Sequence, residues 1–225
     1  MNIVNLFQQG GPVMWVLLAM SVLAVTIILL KLFQFFRIGL RRLNFVDPAL
    51  AALQQSDHKR ALKALQQQRS PVAVVMECAI RCGADPTMSA KDVEAEVSRV
   101  GSAQIRSLES WLRSLSSIAH LSPLLGLLGT VTGMIAAFMS LEAAGSRVDP
   151  SILSGGIWEA LLTTAFGLTV AIPAMAAFYY LEGEVDHVRA SMKDVSIRVL
   201  RHFGKTPSNI SSRDDEKIED ETHGI

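Results

Sequence analysis

Three uncharged apolar runs of membrane-spanning length, separated by charged amphipathic stretches, predict an all-α membrane protein with three transmembrane helices and long cytoplasmic helical extensions. Half of the 225 residues are hydrophobic and 19% are charged, so the two kinds must be segregated along the chain. The mean hydropathy of +0.33 agrees. Twenty-one Lys and Arg balance 21 Asp and Glu, which leaves no electrostatic ground for nucleic-acid binding. No Gly-rich phosphate loop and no paired catalytic carboxylates occur in a polar stretch, so neither a soluble enzyme nor a cofactor is expected.

The first run extends from Pro12 to Leu30 and meets Lys31, Arg37, Arg41 and Arg42, giving a span at 13–36 after an N-terminal stretch, 1–12. That stretch has no Lys or Arg, unlike a secretory n-region, so the span is read as retained. The second run, Ser114 to Leu141, gives a span at 114–141. The third, Ala160 to Leu181 with Glu159 at its upstream edge, gives one at 157–181.

Basic residues set the orientation. Twelve lie between Arg37 and Arg113 and seven between Arg189 and Lys217, against one, Arg147, between the second and third spans. The positive-inside rule then places 37–113 and the C-terminal tail in the cytoplasm, with the N-terminus and the 142–156 loop on the periplasmic side. Trp15, Trp111 and Trp158 near span ends fit an aromatic belt.

The 37–113 segment reads as a helical domain. Asp57 leads into Ala61, Leu62, Ala64 and Leu65, Ser70-Pro71 breaks the pattern, and a further helix is expected over Val72–Arg81. After the turn at Gly83-Ala84-Asp85-Pro86, apolar residues from Val93 to Leu115 recur at helical steps, predicting that the second span continues unbroken into the cytoplasm. Past Leu181 the same periodicity predicts an extension over 182–203. The polar 204–225 tail is expected to be disordered. Cys78 and Cys82, four apart without a further Cys or His beside them, read as reduced thiols rather than a metal site.

Two rows of small residues dominate the last two spans. Gly126, Thr130, Gly133, Ala137 and Ser140 fall on one helical face, and Ala160, Thr164, Gly167, Ala171 and Ala174 repeat the pattern. Such rows let helices approach closely, with Gly126, Gly133, Ala137, Ala160, Gly167 and Ala171 as packing positions; a narrow water-lined conduit is the other reading. Glu159 favours the conduit, because a carboxyl in hydrocarbon costs ~2.5–3.5 kcal/mol on insertion scales and usually marks an ion path. Its depth depends on where the helix starts. With Asp149 as N-cap and Pro150 first, Glu159 lies ~14 Å along at 1.5 Å per residue; with a start at Ser154 or Gly155 it sits near the interface. A desolvated carboxyl can take up and release a proton near working pH. Thr130 and Thr164 could order water beside it or satisfy carbonyls freed by Pro123 and Pro173, although a membrane threonine commonly bonds back to its own helix. Thr163, four residues after Glu159, and His120, at the cytoplasmic mouth, are lesser candidates for the proton path.

The run Ser122-Pro123-Leu124-Leu125-Gly126-Leu127-Leu128-Gly129-Thr130-Val131-Thr132-Gly133 resembles the second-span signature of the ExbB and TolQ proteins in the ExbB/TolQ/MotA proton-channel family. Gly156-Ile157-Trp158-Glu159-Ala160-Leu161-Leu162-Thr163-Thr164-Ala165-Phe166-Gly167-Leu168, then Ala171-Ile172-Pro173-Ala174, resembles the third. Gly10-Gly11-Pro12-Val13-Met14-Trp15 looks more like ExbB-type proteins than TolQ, and the lack of a fourth span disfavours MotA. Trp158 and Thr163 depart from positions often held by alanine. The resemblance implies a homopentamer in the bacterial inner membrane enclosing helices of an ExbD/TolR-like single-span partner. It implies that Glu159, Thr130 and Thr164 line or approach the lumen, and that proton flux energises a TonB-like protein. A TolQ-like role in cell-envelope integrity and a purely structural membrane scaffold are the alternatives. An intramembrane enzyme would need a nucleophile–base pair or a metal set, and Ser122 and His120 lie on different helix faces.

Overall fold

A computed structural model describes residues 11–40, 43–143 and 150–205, with the backbone alone at 150–152. The described chain is all-helical: α1 (Gly11–Ile38), α2 (Val46–Gln54), α3 (His58–Gln66), α4 (Pro71–Ala84), α5 (Ala90–Glu109), α6 (Leu112–Ala143) and α7 (Pro150–His202). Three helices, α1, α6 and α7, are long and apolar enough to cross a membrane. The expectations for the first ten residues, the Arg147 loop, the Asp149 cap and the tail beyond 205 lie outside the described residues.

Local chemistry explains the short helices. Asp57 caps α3 by accepting the Arg60 N–H at 2.9 Å. Ser70 caps α4, with Pro71 at the first position where its missing N–H costs nothing. Ser89 and Asp92 form a reciprocal capping box that starts α5. The α4 helix runs three residues past the expected Arg81 end, to Ala84.

Two sequence expectations meet a different backbone. The second span is not continuous with α5: Ser110 is extended at ψ 137° and Trp111 takes φ +67°, so the helix stops at Glu109 and restarts at Leu112. Neither Gly nor Pro marks that break, and a left-handed tryptophan costs roughly 1–3 kcal/mol. Residues 150–156, assigned to the outer loop, form the first turns of α7, which begins at Pro150.

The chain divides into two compact units. One holds α1 up to Phe33 together with Trp111–Glu182. Its interior includes Met14, Leu17, Ala24 and Ile27 of α1 and a row of small residues on α6 and α7. The other unit holds Gln34–Ser110 and the chain from Gly183. Here α2 packs on α3, α3 on α4 and α4 on α5, around Leu53, Leu65, Met76, Ile80 and Leu108. Val185, Val188, Met192, Val195 and Val199 give the last part of α7 a buried stripe in the same unit.

That stripe ends in a small anchor. The Phe203 ring lies over Gly83, where an added Cβ would come within 2.5 Å of it. Lys205 Nζ donates to the carbonyls of Asp85 at 2.7 Å and Cys82 at 3.4 Å, closing the C-terminal end of α4 as a cation does best. Arg189 joins Asp186 and Glu109, tying α7 to the end of α5.

Candidate functional site

The last two spans meet along a seam of small residues, and backbone approaches backbone. A Cβ on Gly167 would lie 2.6 Å from the Ser122 carbonyl and 3.1 Å from Gly126 Cα; one on Gly126 would lie 3.0 Å from the Thr163 carbonyl. Further along, Gly133 sits against Ala160, and Gly156 against Ala137. Gly129 receives Thr163, whose Oγ1 and Cβ would stand 2.5 and 2.7 Å from any Cβ placed there. Within this unit no conduit separates the two helices along these contacts: the small side chains are spent on close packing.

The buried row on α6 is Ser122, Gly126, Gly129 and Ala137, with Gly133 half-buried between the last two. On α7 it comprises Ala160, Thr163, Ala171 and Ala174, with Gly167 also buried. The centre of the seam is thus Gly129 and Thr163, one residue before Thr130 and Thr164. Gly129, Gly156 and Ser122 were not singled out as packing positions from sequence. The spacing Gly126, Gly129, Gly133 was the available signal for the first.

Thr130 and Thr164 are half-buried beside the seam. Thr130 Oγ1 bonds back to the Leu127 carbonyl at 2.6 Å. Thr164 Oγ1 crosses to the Gly126 carbonyl at 3.1 Å, and Thr163 Oγ1 donates to Ala160 O at 2.7 Å and Gly126 O at 3.3 Å. The two adjacent hydroxyls therefore converge on one carbonyl of α6. His120 lies apart from this group, exposed, with Nδ1 2.7 Å from the carbonyl of Ser116.

Glu159 is half-buried, nine residues after the Pro150 start of α7, or ~14 Å along the helix. Ala160 beside it faces Gly133, and α6 continues ten residues further to Ala143, so Glu159 stands at a level where both helices are well formed. Its Oε1 also lies 4.0 Å from where a Cβ on Gly11 would be, which brings the start of α1 to the same level. Five residues separate Glu159 from Thr164, about 140° around a helix, so the two leave α7 in different directions. Thr163, four residues on, shares the Glu159 side. Trp158 is exposed, as expected of an interfacial or lipid-facing ring.

Residues 52–194 match the model of the MotA/TolQ/ExbB proton channel family. The chain belongs to that family. It is 30% identical over 190 residues to the biopolymer transport protein exbB1 of Vibrio cholerae, covering 84% of this chain and 83% of that one. An ExbB homologue from Methanothermobacter thermautotrophicus is 28% identical over 191 residues, 82% of this chain, and the match spans 64% of the homologue's length. The Tol-Pal system protein TolQ of Haemophilus influenzae is 38% identical over 109 residues, 46% of this chain and 47% of its own. As a family member with three spanning-length helices, the chain is a membrane protein of proton-channel type.

Proposed function

We propose that the chain is an ExbB-like subunit of an inner-membrane motor that uses the proton-motive force, together with an ExbD-like single-span partner, to energise TonB-dependent transport across the outer membrane. The observation that carries this reading is Glu159, a half-buried carboxyl nine residues inside a helix of spanning length. A carboxyl at membrane depth is costly and is kept where protons or ions move. The close packing of α6 on α7 supports a conduit between subunits rather than within one, which suits an oligomer; by family resemblance it is a homopentamer. Glu159 is then the proton-carrying group, with Thr130 and Thr164 as half-buried polar side chains beside the seam. The basic 37–113 segment supports a cytoplasmic placement of that domain, with the N-terminus periplasmic.

The Haemophilus TolQ match favours a second reading, a Tol-Pal-type role, over the part of the chain it covers. A deletion strain separates the two: loss of TonB-dependent uptake with an intact envelope supports the first, and detergent sensitivity the second. Both rest on Glu159. Glu159→Gln is expected to abolish proton-driven function while the protein still inserts and assembles. A fully active Glu159→Ala protein would leave only the scaffold reading.

A further inference from the structure

We propose that Thr163 is a positioning residue, whose side chain, seated on Gly129 and bonded to two carbonyls, fixes the rotation of α7 and so the direction in which Glu159 faces. The proposal rests on the reading of Glu159 as the proton-carrying group.

The seam offers little else to set that rotation. Apart from the Thr164 hydroxyl, its other contacts are made by glycine and alanine, as at Gly133 on Ala160 and Gly156 on Ala137. Surfaces of that kind come close but interlock weakly, since a knob needs a side chain to enter a hole. Thr163 supplies the knob and Gly129 the hole: Oγ1, Cβ and Cγ2 of Thr163 would stand 2.5, 2.7 and 3.0 Å from a Cβ at position 129. Thr163 is 2% exposed. Its single hydroxyl proton is shared between the carbonyl of Ala160 in its own helix and that of Gly126 in α6. The first bond holds the rotamer of a β-branched side chain already stiff at χ1; the second ties it to the neighbouring helix. Thr164 reinforces the tie by donating to the same Gly126 oxygen.

Such a hydroxyl is poorly suited to pass protons, because its donor is committed and water does not reach it. It is well suited to orient. Glu159 precedes Thr163 by four residues, so the two project from neighbouring turns about 40° apart. A shift in rotation at Thr163 is transmitted to Glu159 along a rigid helix.

The test uses the full chain in its native membrane with its partners. Thr163→Ala removes knob and hydroxyl yet suits a seam of small residues, so assembly is expected to be retained. In a Cys78→Ser/Cys82→Ser background, Glu159→Cys is labelled with a water-soluble maleimide. Thr163→Ala is expected to change the labelling rate by about threefold or more, the scale of one interhelical hydrogen bond in a membrane. With Glu159 intact it is expected to displace the pH profile of proton-driven function, and Thr163→Ser, which keeps the hydroxyl, should restore both. Unchanged labelling and an unchanged pH profile in an assembled Thr163→Ala protein would overturn the proposal. So would loss of assembly in both variants, which would make Thr163 simply structural. The two readings fail separately: an active Glu159→Gln with labelling that still responds to Thr163 removes the proton role and leaves the positioning role standing.

Discussion

Where α6 meets α7, the touching surfaces are mostly glycine and alanine with the adjacent pair Thr163 and Thr164, and backbone atoms of the two helices approach closely. In the unit built from α2 to α5, buried leucine, isoleucine, valine and methionine, among them Leu53, Leu65, Met76, Ile80 and Leu108, pack alongside buried alanines. The difference follows from the solvent. In water, burying a large apolar side chain stabilises by about 1.5–3 kcal/mol. In a bilayer the lipid tails are as apolar as leucine, so association depends on dispersion between close backbones and on bonds such as Thr163 and Thr164 to the Gly126 carbonyl. One protein thus holds its helices together in two ways, by close backbones and hydrogen bonds at the seam and by burial of large apolar side chains in the other unit.

The sharpest way to break that comparison is to put a large side chain on the seam. Gly167→Leu brings a side chain onto the Ser122 carbonyl and Gly126 Cα, neither of which can rotate away, and is expected to prevent α6–α7 packing and stable assembly altogether. Gly155→Leu, in the same helix with nothing within 4 Å of its Cβ, is the control and is expected to assemble at normal levels. The measurement is the yield of assembled protein from detergent-solubilised membranes. Equal behaviour of the two variants would refute the seam.

The opposite change belongs in the other unit. Met76 is completely buried in α4, and Met76→Ala is expected to destabilise this unit by about 2–5 kcal/mol through lost burial and a residual cavity. Protease sensitivity of the 34–110 segment in the full-length protein reads it out. An unchanged cleavage rate would show that this interior is not closely packed.

Both choices were partly legible in the sequence. The three spanning helices and the all-α class follow from uncharged run lengths alone, and the family likeness from the motifs at 122–133 and 156–174. The small-residue rows were visible too, but their centre lies one residue away from the row chosen. Counting Thr130 as a seam member pulled the row off Gly129, because a 3.6-residue period cannot separate neighbours 100° apart when both are small. For α7 the sequence offered Pro150, a residue preformed for the first helical position, as one of two starts, although 150–156 was assigned to the loop because its uncharged run begins only at Ala160. The break at Trp111 carried no such mark: its positive φ belongs to a residue type that rarely adopts it, so only tertiary structure could impose it. The partnership of Thr163 with Gly126, 37 residues away, likewise depends on the pairing of two helices and not on local pattern.

The smallest expected effect on stability concerns chemistry inside the unit built from α2 to α5. Cys78 and Cys82 project from the same side of α4 with their sulfurs 3.9 Å apart, both half-buried. Burial, and then the neighbouring Cys82, push the Cys78 thiol from its usual 9.0 up to about 12. Folding therefore favours the protonated thiol. That stabilisation is complete below pH 9.0 and is lost as the pH rises from there towards 12, so it leaves neutral-pH stability untouched. Reactivity is where it shows, because the thiolate is the nucleophile. In the native protein at pH 8, Cys78 is expected to alkylate with iodoacetamide on the order of 100-fold or more slower than an exposed cysteine. Cys82→Ala removes the second cause while leaving burial, and should recover part of the rate. Mass-spectrometric alkylation kinetics across pH give the answer. A Cys78 that reacts at pH 8 like a free thiol would mean that the α4 interior admits water, and the contrast between a seam closed by glycine and a core closed by large side chains would not extend to this face.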